Sequence, residues 1–388
     1  MATDANQVSL YYAAESAFNE TPDLGSALQE LAFINADLKV NPVYQDSEEI
    51  RSDRQLAAQP KVGEEASAKV DVELSMQAMN DFFAACLGSA WVTVTSGAVT
   101  ATIASAGQTI TLASGSWTAN LANARYVKVA GSATAANNGI KKVVSVVANV
   151  ITLAAGSLTT NDAGATLTVT AKYVRTGQTL TTFLLEQKFA LMDAGENRFK
   201  YLTGAGVNDI SLDLASKSRV KATVNFMAAA GAYSATTMGD GSNLAKTGLP
   251  IITTNANVAT IYRGGSAIAV PVMSLPLSIK NNLRARPALA TQNTLAWGLN
   301  EFDVSGTINA YFSAKALVDE MIAGTVSSLE FALNDSGGKL LNFYMPLAKI
   351  LNGDPNPSNK NSDVMTALTF RALGSDALKV LQLDYLEP

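Results

Sequence analysis

The sequence predicts a mainly β protein: two homologous α+β modules, each with one flanking helix, and a small all-β domain, Ig-like or barrel, inserted in the first. Three observations predict it. A strand-to-helix segment occurs twice, as "KVDVELSMQAMNDFFAACLG" at 69–88 and "TINAYFSAKALVDEMIAG" at 307–324. Runs of alternating apolar and polar residues flank both copies, the period of a half-buried strand. Between the copies the composition shifts: residues 89–172 are nearly uncharged, rich in Thr, Ala, Val and Gly, and punctuated by turn residues.

In chain order, "ADLKVN" at 36–41 reads as a strand, and "LPLSIK" at 275–280 matches it, with Leu38 on Leu277 and Val40 on Ile279. An Arg-bearing segment comes next in each copy, "EIRSDRQLA" from Glu49 and "NLRARPALA" from Asn282. On the strand 69–76, Val70, Val72, Leu74 and Met76 face one side and Lys69, Asp71, Glu73 and Ser75 the other. In the second copy Ile308, Ala310 and Phe312 oppose Thr307, Asn309 and Tyr311, with Glu301 and Asp303 just before. The helices place Ala78, Met79, Phe82, Phe83 and Cys86 on one apolar stripe, and Ala316, Leu317, Met321 and Ile322 on its counterpart. Gly88 and Gly324 are the expected stops.

The copies superpose at an offset of 238 through the helix, Asp81 falling on Asp319. "RVKATVNFMAAAG" from Arg219 then matches "DVMTALTFRALGS" from Asp363 at an offset of 144, with Val224 on Leu368 and Phe226 on Phe370. The difference (238 less 144) leaves 94 extra residues in the first copy, the site of the insert. Its strands are expected in "WVTVTSGAVTATIASAGQTITLASGSW", "RYVKVAG", "IKKVVSVV", "NVITLAAG" and "ATLTVTAKYV". Elsewhere "SSLEFALNDSGGKLLNFYMPL" predicts a hairpin around DSGG, and "RFKYLTGAGVNDISLDL" a hairpin turning at TGAGVND. The expected division is 1–88 with 173–235 for the first module, 89–172 for the insert, and 236–388 for the second module with an inter-module loop at 236–265.

Composition narrows the function. Charged residues are 16% of the chain, against about 25% in ordinary soluble proteins. The net charge is −5 without a basic block, so no phosphate-gripping surface is expected. There is no histidine and one cysteine, Cys86, which removes imidazole bases, Ser-His-Asp and Cys-His arrangements and thiolate zinc sites. "TGAGVND" lacks the third glycine of a dinucleotide loop, and "MGDGSN" lacks the later ligands of a calcium loop. No enzyme activity, metal or cofactor is expected. The opening "MATDANQVSLYYAAESAF" has no basic start followed by an apolar run, so neither a signal peptide nor membrane insertion is expected.

"AAESAFNETPDLGSALQELAF", "EEIRSDRQ", the 69–88 segment and "LTTFLLEQKF…YLTGAGVNDISL" together resemble the tail tube proteins of long, flexible-tailed bacteriophages. The insert segment "GSWTANLANARYVKVAGSATAANNGIKKVVSV" resembles small β domains inserted in some of them. The resemblance implies a β-sandwich module with one flanking helix, whose strands join those of its neighbours in a ring. Stacked rings would form a tube in the virion, assembled in the host cytoplasm, through which DNA passes without specific binding. It also implies tape-measure, tail-terminator and distal tail or baseplate partners. Two modules per chain favour a homotrimer with pseudo-sixfold symmetry, with a homohexamer of whole chains as alternative. Asp71, Glu73 and Asp303 are candidates for an acidic channel wall. Glu49, Arg51, Asp53, Arg54, Arg284 and Arg286 are candidates for contacts between subunits or rings. A capsid decoration protein or a carbohydrate-binding surface adhesin are the rival readings.

Overall fold

The computed structural model describes residue 4 and residues 7–388, apart from 20–25, 77, 193–195, 247, 248, 259, 290, 314, 356, 358, 359, 362 and 376. Part of the N-terminal segment "AAESAFNETPDLGSALQELAF" therefore lies outside the described residues.

The chain opens with β1 (Val8–Ala14), β2 (Gln29–Leu31), β3 (Asn35–Tyr44), β4 (Lys61–Glu73) and helix α1 (Asn80–Leu87). The expected insert strands come next as β5 (Val92–Thr95), β6 (Val99–Ala104), β7 (Thr109–Leu112), β8 (Tyr126–Ala130), β9 (Gly139–Val147) and β10 (Val150–Leu153). β11 (Asp162–Arg175) leads out of the insert into β12 (Thr182–Met192), β13 (Glu196–Asp213), β14 (Lys221–Ala228) and β15 (Ala230–Ser234). Four short elements link the halves: α2 (Thr254–Asn257), β16 (Tyr262–Arg263), β17 (Ser266–Ala267) and β18 (Val272–Ser274). The remainder is β19 (Leu277–Lys280), β20 (Leu283–Arg286), β21 (Ala296–Leu299), β22 (Asp303–Tyr311), α3 (Ala316–Ile322), β23 (Val326–Asn334), β24 (Leu340–Asn352), β25 (Met365–Leu373) and β26 (Gln382–Leu386). Among the described residues no helix is long and apolar enough to cross a membrane.

The two halves of the chain have the same strand order. It is β1–β12–β13–β14–β4–β3 in the first and β16–β23–β24–β25–β22–β19 in the second. The register agrees as well: Val70 stands opposite Val224 and Ala68 opposite Phe226, while Ile308 stands opposite Leu368 and Gly306 opposite Phe370. These are the residues that the offsets of 238 and 144 align. The halves join through β19, which pairs with β13 on one side and β22 on the other. One buried core runs through both, from Val70, Phe82 and Phe226 to Ile308, Phe343 and Phe370.

The hairpin expected at TGAGVND does not form. β13 passes straight through it as one 18-residue strand. The glycines serve a change of neighbours: Glu196–Gly206 pairs with β12, and Gly206–Asp213 with β14. Gly204 sits at φ 63° there. A Cβ on Gly206 would stand 2.7 Å from Leu283 Cδ1, so the missing side chain admits the β20–β21 hairpin. The DSGG hairpin does form, with Gly338 at φ 83° between β23 and β24.

The strand expected at 69–76 stops at Glu73, because Leu74 turns its N–H to the Val220 carbonyl. Leu74 and Met76 nevertheless stay in the core. α1 then buries Met79, Phe82, Phe83 and Cys86, and Gly88 ends it at φ 63°. Phe82 lies within 4.8–5.4 Å of the rings of Tyr12, Phe183 and Phe226, and Tyr12 donates to Asp81 at 3.0 Å. α3 differs. None of its residues is buried, Leu317 and Met321 are half-buried, and Ile322 is 75% exposed. Phe312, expected on the apolar side, is exposed too.

The insert closes into a six-stranded antiparallel barrel, β6–β7–β10–β9–β8–β11 and back to β6. It has its own core, which includes Ile103, Ile110, Trp117, Val127, Ile151 and Val169. β11 runs without a break through the expected boundary at 172 and pairs at Tyr173–Arg175 with β26.

Candidate functional site

Cross-strand partners in an antiparallel sheet lie on one face. Tracing them from β3 to β24 gives a polar face that spans both halves. One row reads Asp37, Lys69, Asn225, Asp209, Lys280, Asp303 across successive strands. The next reads Asn35, Asp71, Thr223, Ser211, Ser278, Ser305, Arg371, Lys349. A third begins Glu73, Lys221, Asp213. The opposite face supplies Val70, Val224, Ile210, Ile279, Val304 and Leu368, all buried. Strict alternation across these strands keeps apolar side chains off the polar rows.

Asp71, Glu73 and Asp303 all lie on this polar face, and each meets a cation. Asp71 accepts from Thr223 Oγ1 at 2.6 Å and has Lys69 Nζ at 3.8 Å. Glu73 pairs with Arg219. Asp303 pairs with Arg371, which also reaches Glu301 at 3.0 Å. Asp37, Asp71, Glu73, Asp209, Asp213 and Asp303 are offset by Lys39, Lys69, Lys221, Lys280, Lys349 and Arg371. The face thus carries both signs of charge, interspersed with Ser, Thr and Asn. Such a surface binds water well and presents no patch of one sign to a polyanion.

The Arg-bearing segments protrude from the sheet. Glu49, Arg51, Asp53 and Arg54 are exposed in the extended connection between β3 and β4. Arg51 forks onto Asp53 through Nε at 3.0 Å and Nη2 at 2.8 Å, which holds that carboxyl below its ordinary range. Beside them Ile50 is 99% exposed. Arg284 and Arg286 are exposed on β20 of the two-stranded β20–β21 hairpin, whose loop carries Leu289 at 98% exposure. The hairpin base is anchored on the first half: Trp297 Nε1 donates to the Gly204 carbonyl at 2.8 Å, and Leu283 is buried. Glu64 N–H donates to the Gln292 carbonyl at 3.0 Å, so the β20–β21 loop rests on the start of β4, next to the β3–β4 connection.

Sequence reasoning missed how the insert is held. Although it interrupts the first half, it docks on the second. Tyr126 and Ile140 pack on Ala332, Leu340 and Leu386. Arg125 and Lys142 converge on the buried Glu330 at 3.2 and 3.0 Å. The Arg125 N–H, Asn342 Nδ2 and Gln382 Nε2 all donate to Asp384, which burial pushes up to about 6. A signal was present: the insert has few charges, and Arg125, Lys128, Lys142 and Lys172 all reach second-half residues.

Among the described residues no group of three or more His, Cys, Asp or Glu stands together to hold a metal. Burial pushes the Cys86 thiol far up, and its Sγ lies 3.7 Å from the Ile279 carbonyl, a packing position. Against known families, residues 5–372 match the model described as phage tail tube protein. No curated protein matches the chain.

Proposed function

Since the chain belongs to the phage tail tube protein family, we propose that it self-assembles into closed rings, and that stacked rings form the conduit for the genome. The observation that carries this reading is the polar face shared by both halves. A sheet that is polar on one side, apolar on the other and open at both ends is suited to a wall section of a large barrel. Closure would remove its edges, which on a single chain invite uncontrolled pairing.

The two halves act as two tube modules, and three chains make a ring of six. The polar face of mixed charge lines the channel, so that DNA slides over a hydrated wall without finding a binding patch. The segments at 45–60 and 287–295, with Ile50 and Leu289 bare, reach the next ring. Glu49, Arg51, Asp53, Arg54, Arg284 and Arg286 form the charged margin of those contacts. The insert, docked on the second module, projects from the outer wall. Tape-measure, terminator and distal tail proteins meet the tube at its lumen and ends.

Negative-stain imaging of the purified protein over a range of concentrations tests the reading. Stacked rings with a central channel are the expected result. Particles of single-chain size at every concentration, including after addition of preformed tail tips, would remove it.

A further inference from the structure

The junction inside the chain is a template for the junction between chains. Within the chain β13 meets β19 with Asp209 opposite Lys280, Ile210 opposite Ile279, Ser211 opposite Ser278 and Leu212 opposite Leu277. The Leu275 N–H donates to Leu214 O and the Asn281 N–H to Asn208 O, so the odd residues of β19 carry the bonds to β13. In the other half β3 corresponds to β19, with Leu38 for Leu277 and Val40 for Ile279. β24 corresponds to β13, because Ile350 opposite Phe370 repeats Val207 opposite Phe226.

We propose that β3 of one copy adds beside the far end of β24 of the next copy in this same register, carried past Asn352 so that Val40 stands opposite Gly353 and Lys39 opposite Asp354. Gly353 exchanges the bonds of its N–H to Asn352 Oδ1 and of its carbonyl to Thr366 Oγ1 for bonds to the added strand. The proposal rests on the ring reading and specifies the surfaces that close the ring. Three observations converge on it. Among the described residues β3 pairs with β4 alone, so its other edge is unmatched by any strand. The register places a cation against an anion, and both Lys39 and Asp354 are exposed. Among the described residues Lys39 is held by an exposed pair with Asp37, which is easily exchanged.

The third observation is the contrast between the helices. α1 lies against the second half, with Cys86 Sγ near the Ile279 carbonyl and the Phe83 ring 5.9 Å from that of Phe343. α3 holds the matching position in the second half, but none of its residues is buried and Ile322 stands bare among the described residues. A copy of β3 added at β24 brings Val40 to α3 as Ile279 is brought to α1. Pro355 falls opposite Leu38 and has no N–H to offer it. Leu38 does not need one, since its carbonyl already accepts from Lys200 Nζ of its own chain.

In this register Lys39 and Asp354 form a non-hydrogen-bonded antiparallel pair, with Cα atoms about 4.5 Å apart, within disulfide range. The test mixes Lys39→Cys chains with Asp354→Cys chains, lets them assemble, oxidises them and resolves them under denaturing conditions. Native Cys86 is buried and stays out of the reaction. The expected result is a crosslinked pair of chains in the mixture and none in either variant alone. The double variant should give a ladder that ends at the number of chains in a ring. Separately, Lys39→Glu should raise the concentration needed for assembly about tenfold, and adding Asp354→Lys should restore it. Rings seen by imaging without the 39–354 crosslink, or a crosslink formed within single chains, would overturn this junction and leave the tube standing. Native chains that never form rings would overturn the tube and the junction together.

Discussion

Asn208 and Leu351 hold the same place in the two halves of the chain. Each is the extra residue of a bulge: Asn208 between Val207 and Asp209, opposite Phe226 and Asn225, and Leu351 between Ile350 and Asn352, opposite Phe370 and Thr369. A bulge bends its strand and re-aims the residues beyond it. After Asn208 the strand turns to receive β19. After Leu351 it ends, at Asn352, which pairs with Thr369 of β25 and has no strand on its other side among the described residues.

The two bulges should respond differently to mutation. Asn208 accepts the Asn281 N–H on its carbonyl at 2.8 Å and the Leu283 N–H on Oδ1 at 2.9 Å. Asn208→Ala leaves the second donor without a partner and should cost about 1–3 kcal/mol, measured by denaturant unfolding. Leu351→Ala, at an exposed position, should change stability by less than about 0.5 kcal/mol.

The helices should separate in the same assay. Phe82→Ala empties the centre of the aromatic cluster and should cost about 3–5 kcal/mol. Ile322→Ser on α3 should leave the single chain's unfolding free energy within about 0.5 kcal/mol of the original while weakening assembly. Equal destabilisation by both would mean that α3 is already covered in the free chain.

Removing Glu330 strands two half-buried cations. Glu330→Ala should cost about 3–5 kcal/mol, and limited proteolysis should then cut first on either side of the insert. The closed barrel with its own core should survive as a fragment. Simultaneous loss of the whole chain would contradict a docked, separable insert.

Asp384 makes stability fall as pH rises. Burial raises its carboxyl from 3.8 to about 6, helped by the charge of Glu330 and opposed by donors from Asn342, Arg125 and Gln382. A raised folded value means that its contribution is fully present below about 3.8 and lost as pH passes through 6. The difference is roughly 3 kcal/mol. Thermal melts of Asp384→Asn and the native chain at each pH isolate this contribution, and the variant should gain on the native protein from pH 4 to 7. A constant difference would refute the assignment.

Neutralising Asp71, Glu73 and Asp303 together takes these carboxylates from Lys69, Arg219 and Arg371, of which Arg371 keeps Glu301, and leaves the polar face with an excess of cations. Tubes of this variant should still form. Genome ejection should slow severalfold and recover as salt is added, since the drag is electrostatic. Unchanged ejection would place this face away from the channel.

Much of this was legible in the sequence because it depends on period and on glycine. The alternation read at 69–76 and 307–312 identified the strands and their buried faces, although the first strand stops at Glu73 and the second starts at Asp303 and leaves Phe312 exposed, and Gly88 marked the end of α1. The insert's strands fell between its turn residues. TGAGVND misled for a physical reason: glycines that open a turn also let a long strand bend and admit a neighbour. The exposure of α3 was not legible, since its apolar stripe is as real as that of α1 and only the covering partner differs. Nor was the charge balance of the polar face, because Arg219 and Arg371 lie 146 and 68 residues from the carboxylates they meet. Docking of the insert through Arg125 and Glu330 spans 205 residues.

End-on images of assembled rings, averaged without imposed symmetry, would decide whether one chain supplies two wall units. Two units per chain predict a wall with strong sixfold modulation and three outer projections, one insert for each chain. Six projections would show that each chain supplies a single wall unit, contradicting the reading of its two halves as two tube modules.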